Sequence, residues 1–426
     1  MAEELLRCAN PACQSERARS DAAYACASCQ GLLDVVYDIS PEMAADWPGI
    51  WEQRRLSTTV RDRSGVWRFR ELLPPLEEWA ALVSMAEGNT PLIETPKTRE
   101  WAGVRQLTVK HHGSNPTGSF KDIGMTVCVT EAVQRRARAV ACASTGNTSA
   151  SMAAYAARAG LRAVVFVPKG AVSGAKLAQA VDFGALVVET GENFDEAFGL
   201  LRQLAPELSL YLVNSINPFR IEGQKTVVLE VLEQRQWRVP DYIVLPGGNL
   251  GNVSAAGKCL SELASAGLLP RLPRLVVVQA QGASPFHQMW SSNSRRLVPN
   301  PAPVTRATAI RIGSPANWPR AVRALEWTEG MTEAVTDEEI RKAKTALASD
   351  GVGCEPASAA TAAGIRKLRR SGAIEADADV VAILTGHQLK DADYILEHSP
   401  LPHRPAVLDV GTEPGAVREA LRAWLK

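Results

Sequence analysis

From about residue 105 onward, short and almost wholly apolar runs alternate with Ala-rich stretches that repeat at helical spacing. The runs at 107–109, 139–143, 163–167, 185–189, 211–213, 242–245, 275–279 and 380–384 are predicted strands. A strand that is apolar on both faces has to be covered on both, which means a parallel sheet flanked by helices on either side. The pattern therefore predicts an α/β chain of doubly wound parallel sheets. It also places the chemistry in the turns beyond the carboxyl ends of those strands.

Upstream the pattern changes. Residues 41–85 are rich in Pro, Trp and Arg and keep no sustained period, so they read as an ordered arm crossing the surface of the main body. Before the arm, four of the eight cysteines crowd together as Cys8-x4-Cys13-x12-Cys26-x2-Cys29, followed by the strand-like apolar residues Leu32, Leu33, Val35 and Val36. That spacing outlines a zinc ribbon, and the alternative is a set of free thiols in a flexible segment. Four thiolates would close a tetrahedral coordination sphere, so a metal held there is structural and not catalytic. At the other end, residues 413–426 read as an amphipathic helix closing the core, and no internal repeat is found.

Composition narrows the partners. Lys plus Arg total 47 against 46 Asp plus Glu, and the resulting +1 charge offers no basic field for nucleic acid or membrane. The opening MAEELLRCANPACQSE has no apolar signal core, and no run approaches the length of a membrane span. The expected setting is the cytoplasm, with reduced cysteines, and the expected partner is a small molecule.

Five turns carry candidate chemistry. After the 107–109 run comes HHGSNPTGSFKD, where Ser119 can cap a helix whose first turn holds Lys121. The positive end of the helix dipole there favours the neutral amine. After the 139–143 run, Ser144, Thr145, Gly146, Asn147 and Thr148 open an Ala-rich helix and form an anion site suited to a carboxylate. After the 242–245 run, Gly247, Gly248, Asn249, Leu250, Gly251 and Asn252 form a glycine loop able to close backbone N–H groups on a phosphate. No Gly-Lys-Ser/Thr follows it, so it is not a Walker loop. Residues 214–225, NSINPFRIEGQK, set the Arg220 guanidinium beside an amide and a hydroxyl, a phosphate-binding combination. The fifth turn, Leu384-Thr385-Gly386-His387, ends the last strand.

Residues 115–125, NPTGSFKDIGM, resemble the cofactor-lysine segment of the threonine-synthase family, within the fold-type II pyridoxal-phosphate enzymes. The other four turns agree with that family in order and spacing, as do SGVWRF at 64–69, EGNTPL at 87–92 and GCEPAS at 353–358. The resemblance implies pyridoxal 5'-phosphate bound to Lys121 as a Schiff base, with Asn147 on the ring hydroxyl and Thr385 on the pyridine nitrogen. It places the cofactor phosphate in the loop 247–252. It also implies that O-phospho-L-homoserine and water become L-threonine and phosphate through γ-elimination and β-addition of water, with Lys121 as the base. Ser144, Thr145 and Thr148 would hold the substrate carboxylate, and Asn214, Ser215 and Arg220 its phosphate.

The implied organisation is a ribbon-like segment at 1–38, an arm packing on the main body at 39–104, a smaller domain carrying Lys121 at 105–215 that closes over the substrate, and a larger domain with the phosphate loop at 216–426. A homodimer is expected. Ile123, Gln388 and the pair His111-His112 depart from common members of the family, and His387 is open between a cofactor contact and packing. The rival readings are another fold-type II lyase, such as a threonine dehydratase or a sulfhydrylase, and a binding protein that keeps the fold without turnover.

Overall fold

In the computed structural model the described residues are 5–21, 23–170, 174–192, 194–294, 296–397 and 413–425. Their strands are β1 (Leu5–Cys8), β2 (Glu16–Ala18), β3 (Leu33–Val36), β4 (Leu92–Glu94), β5 (Gln106–His111), β6 (Ala139–Ala143), β7 (Arg162–Val167), β8 (Leu186–Glu189), β9 (Leu210–Leu212), β10 (Tyr242–Pro246), β11 (Arg274–Ala280), β12 (Met331–Val335) and β13 (Asp379–Leu384). All eight runs picked out by their apolar character are strands.

The larger sheet has the order β12-β11-β10-β13-β5-β4, and the smaller one β8-β7-β6-β9. Every pairing in both is parallel except β4 with β5. Full burial of β6, β10 and almost all of β13 bears out the argument that apolar strands lie under helices on both faces. β5 falls in the 105–215 span yet pairs with β13 in the larger sheet. The chain thus leaves the larger sheet after β5, builds the smaller one, and returns at β10.

Two expectations need correction. Trp51, Trp67 and Phe69 of the arm are almost fully buried and share one apolar cluster with Val227, Val231 and Leu260, so the arm enters the core and does not merely cross the surface. The terminal helix forms over Pro414–Leu425, but its side chains are mostly exposed, Leu421 by 54%, and it does not close the core. Residue 426, also included in that expectation, lies outside the described residues. The ribbon pairs as β2-β1-β3, antiparallel throughout. No described helix is long and apolar enough to cross a membrane.

Candidate active site

The predicted turns converge because their strands are neighbours. β5 and β13 run side by side, and the loops that leave them are stitched together by Phe120 N donating to Thr385 O at 2.9 Å and His387 N donating to Gly118 O at 2.8 Å. This brings the start of the helix Lys121–Gln134 next to the end of β13. The N-cap position is Phe120, which makes no side-chain cap bond, and not Ser119 as expected; Ser119, one residue earlier, accepts from Lys121 N through its Oγ at 3.3 Å. Burial, reinforced by the positive charge of Arg220, pulls the Lys121 amine down to about 7, and its Nζ lies 4.2 Å from the centre of the Phe120 ring. Beside it Asp122 accepts from Thr117 N at 2.7 Å and from Thr117 Oγ1 and Ser151 Oγ at 2.6 Å. These bonds fix the turn, while burial pushes the Asp122 carboxyl up to about 6.

A carboxylate without an assigned role sits at the centre. Glu355 is buried and accepts from Asn147 Nδ2 and from Thr385 Oγ1, both at 2.9 Å. Burial raises its pKa. Ser358 Oγ lies 3.0 Å from Thr385 Oγ1 and accepts from the N–H groups of Thr385 at 2.8 Å and Gly386 at 3.1 Å. A Cβ at Gly386 would fall 2.5–2.7 Å from the Glu355 carboxyl, so glycine is what lets the two approach. The GCEPAS motif was the signal for Glu355 and Ser358. It named no chemistry, because their role arises from contacts far along the chain.

The glycine loop has the form of a cradle. A Cβ at Gly247 would lie 2.6 Å from Val277 Cγ1, and one at Gly248 would lie 3.1 Å from Ala309 O. Leu250 takes a left-handed φ of 64° and turns the chain into the helix Gly251–Ser265. Asn249 Oδ1 accepts from Ala316 N at 2.6 Å, and Asn252 Nδ2 donates to Pro246 O at 2.8 Å, so both amides brace the loop.

Across from it, Asn217 caps the helix Pro218–Gln234 by accepting from Phe219 N at 2.9 Å. Arg220, 2% exposed, donates from Nη1 to Val213 O at 3.0 Å, while its Nε finds no partner. Burial lowers its pKa as well, and it makes no ion pair among the described residues. A buried guanidinium with an unused N–H is a receptor for an anion. Gln224 Oε1, which lies 3.6 Å from the position of a Cβ on Gly251, is likewise buried and unpartnered.

Other predicted residues take quieter places. Asn214 spends its amide on Ala143, accepting from its N at 3.1 Å and donating to its O at 3.0 Å, so it ties β6 to the loop after β9. Ser215 offers its carbonyl to Asn317 at 3.2 Å. Ser144 Oγ accepts from Gly146 N at 3.2 Å, and Thr145, Asn147 and Thr148 are half-buried around it; a Cβ at Gly146 would meet nothing within 4 Å. His387 accepts from Leu389 N at 3.2 Å and caps the turn 388–391, with burial and the neighbouring His111 lowering its pKa. At the far end of the chain, the four sulfur atoms of Cys8, Cys13, Cys26 and Cys29 all lie within 4.8 Å of one another.

A half-buried lysine with a depressed pKa, a glycine cradle at a helix start, a buried guanidinium with its Nε unpartnered and polar partners at the ends of β6 and β13 together fit a phosphorylated aldehyde cofactor held through Lys121. A family model described as pyridoxal-phosphate dependent enzyme matches residues 83–386. The threonine synthase of Methanocaldococcus jannaschii is 44% identical over 380 residues, which cover 89% of this chain and 91% of that protein. That of Methanosarcina acetivorans is 44% identical over 410 residues, covering 96% and 97%. Among solved structures, diaminopropionate ammonia lyase from Escherichia coli superposes with a TM-score of 0.64 at 17% identity, covering 78% of this chain and 94% of that one. The processed form of threonine deaminase isoform 2 from Solanum lycopersicum gives 0.62 at 21%, covering 73% and 88%. At those identities the likeness is one of fold.

Proposed function

The chain belongs to the threonine synthases, within the pyridoxal-phosphate dependent enzymes, and on that premise we propose how its own residues divide the reaction. It is a lyase that converts O-phospho-L-homoserine and water to L-threonine and phosphate. Pyridoxal phosphate, when bound, supplies an electron sink for the charge left on the substrate's α-carbon. Lys121 would hold that group through Nζ, and once the substrate's own amine takes its place there, the freed amine, with its pKa pulled down to about 7, takes the α-proton and returns it. The loop 247–252 and the start of the helix behind it would hold the cofactor phosphate, and Asn147 and Thr385 would hold its ring oxygen and ring nitrogen. Asn147 Nδ2 and Thr385 Oγ1 both donate to Glu355, which holds them near each other.

Ser144, Thr145 and Thr148 bind the substrate carboxylate at the start of the helix Asn147–Ala159. Arg220 binds the departing phosphate, and Ser215 supports it. Asn214 positions the pocket through Ala143 and does not itself reach for the anion. The smaller sheet closes over the substrate and keeps water away until phosphate has left. The near-zero net charge supports a small-molecule partner, with neither nucleic acid nor membrane involved. A cytoplasmic homodimer completes the reading, the setting being supported by the clustered thiols, which need a reducing compartment.

The observation that carries the substrate choice is Arg220, buried, with no counter-ion among the described residues and with Nε unused. A charge-assisted hydrogen bond contributes about 1.5–3 kcal/mol, or roughly ten- to a hundredfold in binding. Arg220→Ala should therefore lose at least that factor in kcat/KM for O-phospho-L-homoserine while slow side reactions on serine persist. Arg220→Lys should recover only part, because a point charge cannot replace a fork of N–H groups. Equal loss of both activities with an unchanged cofactor spectrum would remove Arg220 from the phosphate site.

A further inference from the structure

The N-terminal cysteines are brought together by the pairing of β1 with β3, which sets Cys8 opposite Leu33 and returns the chain past Cys26 and Cys29. Cys8 Sγ lies 3.4 Å from Cys29 Sγ, and Cys13 Sγ lies 3.7 Å from Cys26 Sγ. Four sulfurs about 2.3 Å from one tetrahedral ion stand about 3.8 Å apart, which these spacings nearly match already. Gly31 leaves room for the cluster, since a Cβ there would lie 3.2 Å from both Cys8 Sγ and Cys29 Sγ.

The loops tied by this knot reach both halves of the enzyme. Between Cys13 and Cys26, Arg19 Nη2 donates to Glu131 Oε2 at 2.5 Å and Arg135 Nη1 donates to Ser20 O at 2.9 Å, both at the far end of the Lys121 helix. Tyr24 Oη accepts from Leu212 N of β9 at 2.9 Å. The guanidinium groups of Arg19 and Arg135 lie over the ring of Phe219, the neighbour of Arg220, at 5.7 and 5.6 Å. Beyond Cys29, Asp34 pairs with Arg320 at 2.8 Å and with Arg323, both on the helix Trp318–Trp327. Tyr37 Oη donates to Glu222 Oε2 at 2.8 Å, on the helix that begins beside Arg220.

We propose that Cys8, Cys13, Cys26 and Cys29 hold one thiophilic, tetrahedral cation of the Zn2+ class, and that this metal fastens a strap joining β9 and the Lys121 helix to the helices of the larger body. With all four positions filled by sulfur the ion has no place for substrate, so its contribution is to hold the ribbon folded. The ribbon in turn braces Phe219, the chain neighbour of Arg220.

The test uses the full-length holoenzyme. Metal analysis should find one zinc per chain, and Co2+ exchanged into the protein should give the intense red-region bands of a tetrahedral tetrathiolate, both lost in Cys26→Ser/Cys29→Ser. Stripping the metal should speed hydrogen exchange in peptides covering 128–136 and 210–217 by roughly tenfold, the effect of losing about one or two net hydrogen bonds. Tyr24→Phe keeps every cysteine and should reproduce the change at 210–217 with the metal retained. Protein that carries no zinc and gives no cobalt bands overturns the metal site. Metal that can be removed with no change in exchange, together with a silent Tyr24→Phe, overturns the strap. Neither result depends on the cofactor chemistry, because the exchange and metal readouts involve no turnover.

Discussion

Replacing Lys121 with Met, an uncharged chain of similar length, probes whether the amine is neutral because of where the fold puts it. An ordinary lysine amine titrates at 10.5, and burial with Arg220 nearby brings Lys121 to about 7. At pH 7 about half of the amines are then free, against roughly three in ten thousand for an unperturbed lysine, a gain of about a thousandfold in reactive species. Acylation of the cofactor-free enzyme at this residue, followed by mass spectrometry between pH 5 and 10, should show a midpoint near 7, and Arg220→Ala should move it upward. The same shift has a stability consequence. Between about 7 and 10.5 the unfolded chain binds this proton and the folded chain does not, so cofactor-free wild type gains stability as pH rises through that window. Lys121→Met has no such dependence, so it should be the more stable protein at pH 7 and below, and its advantage should shrink toward pH 10. Denaturant midpoints measured on both proteins would show it. A labelling midpoint that stayed near 10, or a stability gap indifferent to pH, would refute the argument that burial and Arg220 free this amine.

Gly386→Ala should push the Glu355 carboxyl away from Asn147 and Thr385, with overpacking of about 1–3 kcal/mol, and weaken cofactor retention during dialysis; a variant that holds the cofactor as wild type does would contradict the close approach. Glu230 pairs with Lys110 at 2.6 Å and with Arg68 at 3.5 Å, all three buried, so Glu230→Gln should destabilise the protein by about 3–5 kcal/mol in urea unfolding. A loss under 1 kcal/mol would mean that water reaches those cations.

Much of this enzyme can be read along the chain. A strand buried on both faces must be apolar at every position, so β6, β10 and β13 announce themselves. Lys121 and the glycine loop are equally local, since a polar turn leading into a helix and a backbone that must approach an anion each leave a compact signature. Outside the ribbon, the two strands that carry no apolar run, β4 and β12, are the two edges of the larger sheet. An edge needs no apolar run, and β12 carries half-buried Glu333 in its middle. Tertiary structure alone decided that Glu355 would stand between Asn147 and Thr385, that the amide of Asn214 would be spent on Ala143, and that the tryptophans of the arm would enter the core. Asn147 and Glu355 are 208 residues apart, and Asn214 and Ala143 are 71 apart. Hydrophobic period and capping report on neighbours a few positions away, whereas which polar atoms meet across such separations is settled only when the sheets and helices pack.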